Sequence, residues 1–347
     1  MFLKNTAIWI TLLVLTLAFT PALAFDTIPT TTGWAGFAIV SVGVFKVENN
    51  MIVTGPPLLG DAGNTQISSI FDSPSSRTAA AMLFGGELNY TFASTRTQVF
   101  LGTRLEDVLR LDVAFGLGAR QKFPDKSILA ASVLFTPIKP EVWSDPYVEG
   151  VDRVGTLRDK PGARLRWTQV LKTNLELTAT VRSHRHENET SGDFLFNRGD
   201  LTSAEVSSLS RNGEIWRLQA LYQINIERRH RLEPAIRYIL YDLDGDALSH
   251  TGVSLQLTYL YFTPSYVLDT NLILHTYESD ATHPVYGEVL KANRYGFAFS
   301  VFYDLFKRKG WRAFAGVEYV KEDSNIAFFD SKISSIAAGV IWRYARQ

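Results

Sequence analysis

The feature that most constrains this chain is an alternation of apolar and polar residues with a period of two. It is clearest over residues 80–92, 109–120, 175–182 and 214–226. Such alternation is typical of β-strands that have one apolar face and one polar face. Strands in soluble sheets average about five or six residues, whereas about ten tilted residues are needed to cross a membrane. These segments are long enough to predict membrane-spanning strands.

Two absences narrow the class of protein. After residue 24, no stretch approaches the roughly 18 uninterrupted apolar residues of a membrane-spanning helix. The 347 residues include no cysteine, so an exported chain of this composition has no disulfide framework. Its stability must then come from a sizeable core or from contact with lipid. The sequence therefore leaves a soluble periplasmic β-protein or a β-barrel of the Gram-negative outer membrane.

The first 24 residues have the pattern of a secretory signal peptide. Lys4 precedes an apolar stretch over residues 7–19, and Ala22-Leu23-Ala24 has the small-x-small pattern of a cleavage site. We predict cleavage after Ala24 and export through the inner membrane, with an uncleaved N-terminal anchor as the alternative. Residues 25–347 then form one domain.

The charge of the mature chain argues against nucleic acid as a partner. Removing residues 1–24 removes only Lys4, which leaves 34 basic and 35 acidic residues and a net charge of −1. Binding to a phosphate backbone requires a clear basic excess. We therefore expect membrane lipid and small solutes, rather than nucleic acid, as the partners.

The alternating segments number fourteen, and the connections between them alternate in length. The segments begin near residues 34, 78, 95, 109, 127, 163, 175, 214, 231, 251, 265, 292, 311 and 333. Short turns on one side and longer polar loops on the other are typical of outer-membrane barrels. We predict an all-β, transmembrane, antiparallel up-and-down β-barrel of 14 strands with both termini in the periplasm. Twelve strands remain an alternative, because each strand signal is weak.

Aromatic residues cluster at the short-turn end of the predicted strands. They are Trp34, Phe37, Tyr90, Phe92, Tyr261, Phe262, Tyr266, Tyr303, Phe306, Trp311, Trp342 and Tyr344. Amphipathic rings settle at the depth of the lipid headgroups, so this band predicts an interfacial girdle. In a soluble β-sandwich, aromatic side chains would instead favour the strand centres.

The last strand alternates Ile336, Ala338, Val340, Trp342 and Tyr344. This pattern resembles the terminal signal that the barrel assembly machinery reads in outer-membrane proteins, so we expect that machinery to be a partner. Such signals usually end on an aromatic residue, whereas three further residues, 345–347, follow Tyr344.

Several stretches resemble a Gram-negative family, found in vibrio-like bacteria, that is known only as a domain of unknown function. They are residues 33–37, 48–51, 90–112, 141–147, 241–246 and 284–287. Because they extend over nearly the whole mature chain, the resemblance implies a single-domain outer-membrane protein. It implies no catalytic residue and no ligand.

If the apolar faces contact lipid, the other faces must line the lumen. They carry eleven arginines: Arg104, Arg110, Arg120, Arg164, Arg166, Arg182, Arg217, Arg237, Arg294, Arg312 and Arg343. The same faces carry six acidic residues: Glu87, Asp112, Glu176, Glu233, Asp269 and Glu318. A charge facing lipid at mid-depth costs about 2–4 kcal/mol, which supports the inward assignment.

We predict a net positive lumen that favours anionic solutes. The predicted pore-lining residues are Arg110, Arg164, Arg166, Arg182, Arg217, Arg237, Arg312, Glu87, Glu176 and Glu233. The function predicted from them is that of a porin-like outer-membrane channel for passive diffusion of small polar or anionic solutes. The alternative is a structural or adhesive barrel whose lumen is filled by paired side chains and whose surface loops bind a partner.

Other motifs are weaker. Asp242-Leu243-Asp244-Gly245-Asp246 resembles a calcium loop, but Val253 stands where the last ligand would be, so a tight hairpin is preferred. His184 and His186 share a strand face and suggest a solvated edge rather than a metal site. His275 and Asp269 lack a serine nucleophile signature. We predict no enzymatic activity, no cofactor and no metal.

About nine residues precede the first strand of the mature chain, which is too short for a plug domain. The loops at 48–77 and 187–213 could instead fold inward and narrow the pore.

Overall fold

The structure is a computed structural model that describes residues 28–54, 58–59, 61–103, 115–305 and 310–345. The predicted signal peptide over residues 1–24 lies outside these ranges, and so do Arg104, Arg110, Asp112 and Phe306. The strand predicted from residue 109 is described from Phe115 onward.

Fourteen strands form the wall of one closed barrel. They are β1 Gly33–Glu48, β2 Ser76–Phe92, β3 Thr97–Gly102, β4 Phe115–Lys122, β5 Ile128–Phe135, β6 Gly162–Thr168, β7 Leu175–His186, β8 Gly213–Tyr222 with its extension Ile224–Ile226, β9 His230–Leu243, β10 His250–Phe262, β11 Tyr266–His283, β12 Glu288–Asp304, β13 Trp311–Ser324 and β14 Ser331–Ala345. Every strand pairs antiparallel with the next along the chain. The prediction of fourteen strands, rather than twelve, is confirmed.

The wall closes where β1 meets β14. The pairing runs from Ala35 opposite Ala345 to Glu48 opposite Lys332. On its other side β1 pairs with β2 from Gly33 to Glu48. At this seam β1 is thus paired on both sides along nearly its whole length, and unpaired strand edges there would be penalised heavily in a hydrocarbon environment.

The outer face of the barrel is apolar and exposed, as a surface in contact with lipid must be. Val42, Phe84, Leu255 and Ile336 are exposed by 56%, 67%, 52% and 62%. Successive side chains of a strand point to opposite faces, so the polar residues between them point inward. The predicted apolar outer face is confirmed, whereas the inner face is polar over part of the wall and carries an apolar cluster around Phe302 on another part. Among the described residues, no helix has the length and apolarity needed to cross a membrane.

A charge on this outer face should destabilise the barrel. Leu255 lies near the middle of β10 and is half exposed. We expect Leu255→Arg to lower the free energy of unfolding in lipid vesicles by about 2–4 kcal/mol. Leu255→Ala is the control and should cost much less, because no charge enters the bilayer. Equal unfolding free energies for the two variants would contradict a lipid-facing Leu255.

The aromatic residues of the short-turn end divide between the two faces. Trp34, Tyr303, Trp311 and Trp342 are exposed on the outside, which agrees with an interfacial girdle. The assignment of Phe37 and Phe262 to this girdle is wrong, because both side chains point inward and pack in an apolar cluster. The register explains this, because Phe37 and Phe262 each stand one residue away from side chains of their strand that point outward.

The loops at the other end pack together into a structure of their own, which we call the cap. It includes the short strands Ile52–Thr54, Glu141–Trp143 and Gly155–Asp159, the helices α1 Asp193–Arg198 and α2 Ser203–Ser208, and a 3-10 turn at Ala327–Phe329. The two-residue strand Leu58–Leu59 instead pairs with β2 of the wall. A second 3-10 turn, Val170–Lys172, lies in a short turn at the opposite end. The core of the cap consists of Ile70, Tyr147, Leu195, Leu201, Leu209, Leu243, Ala247, Leu248, Leu290, Ile326, Phe328 and Phe329.

Candidate functional site in the barrel lumen

The lumen wall near the short turns carries a buried polar network. Arg120 forms an ion pair with Glu87, and the two side chains are exposed by only 10% and 6%. Arg120 also donates to Gln98 over 2.9 Å, and Gln98 donates to Asn89 over 3.0 Å. Asn89 donates back to Glu87 over 2.9 Å. These contacts form a closed cycle, which gives both the guanidinium and the carboxylate polar partners within the wall, as a buried polar network requires.

The network of polar residues continues around the wall. Arg166 lies 3.5 Å from Glu176, with both side chains almost fully buried. Arg237 donates to Gln219 and to Gln256, each over 2.5 Å. The strands β6 to β9 are adjacent in the sheet, so their inward arginines lie on neighbouring strands.

The remaining side of this level is apolar. Its buried residues are Ile39, Leu260, Phe262, Val267, Phe302 and Ile341, and Phe314 stacks on Phe302 with ring centres 5.6 Å apart. We call this cluster and the polar network together the lower layer. Because its side chains are buried, the lower layer presents little open surface to solvent.

Nearer the cap, the inward side chains are partly exposed, and we call this space the upper chamber. Arg294 points inward from β12, yet its side chain is exposed by 45%. It forms an ion pair with Glu322 of 2.6 Å, and Glu322 accepts a hydrogen bond from the Tyr277 hydroxyl over 3.2 Å. Arg182 and Arg217 are also inward and partly exposed. The lumen therefore contains accessible space at this level.

A row of histidine and tyrosine rings crosses the wall of the upper chamber. Tyr241 stacks on His250 with ring centres 4.2 Å apart, and His250 lies 4.4 Å from Tyr277. His275 continues the row beyond Tyr277 at 5.5 Å, and His184 lies 6.4 Å from Tyr241 at the other end. The row places hydroxyl and imidazole groups on four strands beside the arginines.

The cap contributes two cations to the same chamber. Arg158 lies opposite His186 in the pairing of the cap strand Gly155–Asp159 with β7. Lys160 follows two residues later and lies close enough to Arg158, Arg182 and Arg217 for their charges to interact. Both side chains are partly exposed. The upper chamber is therefore a basic compartment.

The cap above this compartment is held together by buried polar contacts as well as by its apolar core. The Asp145 carboxylate accepts hydrogen bonds from the backbone N–H groups of Tyr147, Gly192 and Phe194 over 2.9, 3.1 and 2.9 Å. Burial raises the pKa of this carboxyl, while the three donors act to lower it. Asp145 thus ties the loop over residues 136–161 to α1.

Tyr147 is the central side chain of the cap and is 0% exposed. Its hydroxyl forms a hydrogen bond of 2.9 Å with Nε2 of His283, and its ring stacks on Phe328 at 5.6 Å. Arg153 stabilises the same region by donating to the carbonyl groups of Asn50 and Asn64. The described parts of the loops over residues 48–77 and 187–213, whose inward folding the sequence left open, take part in one packed cap.

The described members of the predicted pore-lining set all lie on inward faces, at different heights. Glu87, Arg166, Glu176, Glu233 and Arg237 belong to the lower layer, Arg164 lies nearer the cap and donates to Thr180, and Arg182 and Arg217 lie in the upper chamber. Arg312 lies at the short-turn end, where it is paired with Asp304 over 2.6 Å. Arg110 lies outside the described residues.

Sequence reasoning missed Arg158, Lys160 and the ring row. Arg158 and Lys160 stand in a long loop, where alternation gives no inward direction. His184, His250 and His275 could have been found from the strand register, since each stands on an inward face. His275 and Asp269 do not contact one another: His275 forms a hydrogen bond with the Val253 carbonyl, and Asp269 accepts from Asn271. Within the described ranges, no group of three or more metal-ligating side chains is placed to hold an ion.

Residues 33–343 match the family described as DUF2860, a protein family of unknown function. The chain belongs to this family. The resemblance found in the sequence to a family of unknown function is thereby confirmed, over nearly all of the barrel. Among curated proteins, none matches this DUF2860 chain in sequence.

Several solved structures of bacterial proteins are similar to the DUF2860 chain at 9–11% sequence identity. A loop-deletion mutant of the outer-membrane protein OmpT of Vibrio cholerae is 10% identical, with 90% of this chain and 99% of that chain covered and a TM-score of 0.42. An anion-selective porin from Comamonas acidovorans is 9% identical, with 90% and 100% covered and a TM-score of 0.42. A FadL homologue of Pseudomonas aeruginosa is 11% identical, with 89% and 90% covered and a TM-score of 0.44.

Proposed function

We propose that the protein is an outer-membrane channel for small anionic solutes, and that the upper chamber is the part of the lumen that selects them. The observation that carries this proposal is the grouping of Arg158, Lys160, Arg182 and Arg217 on the partly exposed wall below the cap. The proposal includes export by a cleaved signal peptide, assembly through β14 and no enzymatic activity.

Electrostatics supports an anionic solute. In the upper chamber, the Glu322 carboxylate is paired with Arg294 on β12. This pair lies at the Tyr277 end of the row of rings, whereas the cap cations lie at the His184 end. Charges on the inner wall of a protein interact more strongly than charges in bulk water, because the effective dielectric constant is lower there. Arginine also stays protonated and presents several donors to oxyanions. An anion entering the chamber is therefore attracted, and a cation is repelled.

Passage through the barrel requires a change in the lower layer or the cap. The polar network around Glu87 and Arg120 and the apolar cluster around Phe302 are both buried in this conformation. Passive diffusion therefore proceeds through intermittent opening rather than through a permanently wide pore. We expect brief, small conductance steps.

The test is ion conductance in planar bilayers across a potassium chloride gradient. Wild type should show a reversal potential of anion selectivity, and Arg217→Gln should shift it toward zero because one lumen charge is lost. Arg185→Gln is the matched control, since Arg185 is an exposed arginine on the outward face of β7. Cation selectivity, or equal shifts in the two variants, would reject the proposed anion channel.

A second function is favoured by the buried lower layer and the cohesive cap. A structural or adhesive barrel would have its lumen closed at both levels and would present the cap to a partner. Liposome swelling with sugars of graded size, measured beside the conductance, separates the two functions. A folded barrel that gives neither swelling nor conductance steps favours the structural role.

A further inference from the structure

Two cations of the upper chamber have no acidic partner in the part of the chain that the structure describes. In the loop over residues 136–161, the lysine that pairs with acids is Lys139, which lies 3.1 Å from Glu187 and 3.7 Å from Asp159. Arg158 and Lys160, on the inward side, form no ion pair with any described carboxylate. Adjacent positive charges without a counter-charge destabilise the folded state.

The third group at this place is His184, which is exposed by only 8%. Neither of its ring nitrogens has a hydrogen-bond partner among the described residues. The pairing of Arg158 with His186, and a backbone hydrogen bond of 2.8 Å from Ser183 to the Pro161 carbonyl, place His184 beside Arg158 and Lys160. Buried polar groups in native proteins are nearly always hydrogen-bonded, and an unsatisfied one often marks a ligand position.

Burial and the surrounding charges also lower the pKa of Lys160. They hold the pKa of its ammonium group well below its usual range, and the neighbours responsible are Arg158, Arg182 and Arg217. An anion among these residues would oppose both effects, since it would neutralise the repulsion and accept hydrogen bonds. The group of residues thus has the chemistry of a site completed by an anion.

We propose that Arg158, Lys160 and His184 form a binding site for a phosphate group, either inorganic phosphate or a phosphate ester. The inference rests on the proposed function, because it names the class of solute that the upper chamber selects. Two cations without acidic partners match the charge of about −2 that a phosphate group carries near neutral pH. Guanidinium and ammonium groups both donate well to phosphate oxygens, and a neutral imidazole supplies a further N–H.

Calorimetric titration of the folded, full-length barrel in detergent tests this site. The probes are inorganic phosphate, glucose 6-phosphate, acetate and glucose, all at one ionic strength. We expect saturable binding of one or both phosphates, much weaker binding of acetate and none of glucose. The tighter of the two phosphate probes identifies whether the free ion or the ester is the ligand.

Lys160→Gln should weaken phosphate binding about tenfold, as expected for the loss of one charge-assisted contact. Lys139→Gln is the matched control from the same loop and should bind like wild type. Heat-modifiable gel mobility checks that each variant is folded, and Arg158→Gln is the second variant if Lys160→Gln fails to fold. Equal binding of acetate and phosphate, or equal weakening by Lys139→Gln, would overturn the site.

Conductance measured on the same preparations separates this inference from the proposed function. Anion-selective conductance without saturable phosphate binding rejects the phosphate site and leaves the channel. Saturable phosphate binding by a barrel that does not conduct supports the site and rejects the channel.

Discussion

Replacing Tyr147 by alanine should loosen the cap and make it sensitive to proteases. Tyr147 is fully buried, stacks on Phe328 and shares a hydrogen bond with His283. Truncating a large buried aromatic side chain costs about 3–5 kcal/mol, because apolar contacts are lost and a cavity remains. We expect Tyr147→Ala to increase the rate of limited proteolysis in the loop over residues 136–161, while the strands stay protected.

Tyr147→Phe is the matched control for this prediction. It removes only the hydroxyl that contacts His283, so the cost should be about 1 kcal/mol. If the cap limits access to the upper chamber, Tyr147→Ala should also give larger or more frequent conductance steps than Tyr147→Phe. Identical proteolysis patterns for wild type and Tyr147→Ala would show that Tyr147 does not hold the cap together.

Removing the acid of the buried ion pair in the lower layer should destabilise the barrel strongly. Glu87→Gln keeps the shape of the side chain but leaves the Arg120 guanidinium without its counter-charge in a site exposed by about a tenth. Breaking a buried pair by removing one partner costs about 3–5 kcal/mol. Denaturant unfolding in lipid vesicles, followed by tryptophan fluorescence, measures this loss.

Two further variants make this measurement specific. Glu87→Gln combined with Arg120→Met should recover most of the lost free energy, since no unpaired charge stays buried. Glu48→Gln breaks an exposed pair with Lys332 over 3.7 Å and should cost at most about 1 kcal/mol. A Glu87→Gln variant as stable as Glu48→Gln would mean that the lower layer is hydrated and not tightly packed.

The wall of the barrel could be predicted from the sequence because alternation reports directly which face of a strand meets lipid. Phe84 and Leu255 show this on the outside, and Glu87 and Arg237 show it on the inside. Contact with lipid requires an apolar outward face on every strand, so the alternation repeats whatever the strand packs against on its inner face.

The cap and the apolar part of the lower layer could not be predicted in the same way. Phe37 and Phe262 are apolar on an inward face, so their residue type suggests contact with lipid, and only the register of their strands places them in the lumen. Tyr147 and Phe328 lie in loops, where no period relates neighbouring residues to a common surface. Their contacts depend on which loops meet, and barrel closure determines this.

The sequence also could not predict which loop residues lie next to the predicted lumen residues. Alternation gives Arg217 its inward direction, but its neighbour Lys160 comes from a loop 217 minus 160, or 57, positions earlier in the chain. Cross-strand register fixes neighbours within the wall, whereas loop conformation decides which further charges join them.

The seam between β1 and β14 has a consequence for how the protein forms. Ala35 and Ala345, which face one another there, are 345 minus 35, or 310, positions apart in the chain. Ordering so long an intervening segment carries a large entropic cost before the seam contacts form, so closure is a slow and late event. Until then two long strand edges stay unpaired, and chains released into water would associate edge to edge. Productive folding therefore depends on closing the barrel within a lipid environment, and the cap, whose described core comes from several different loops, is assembled last.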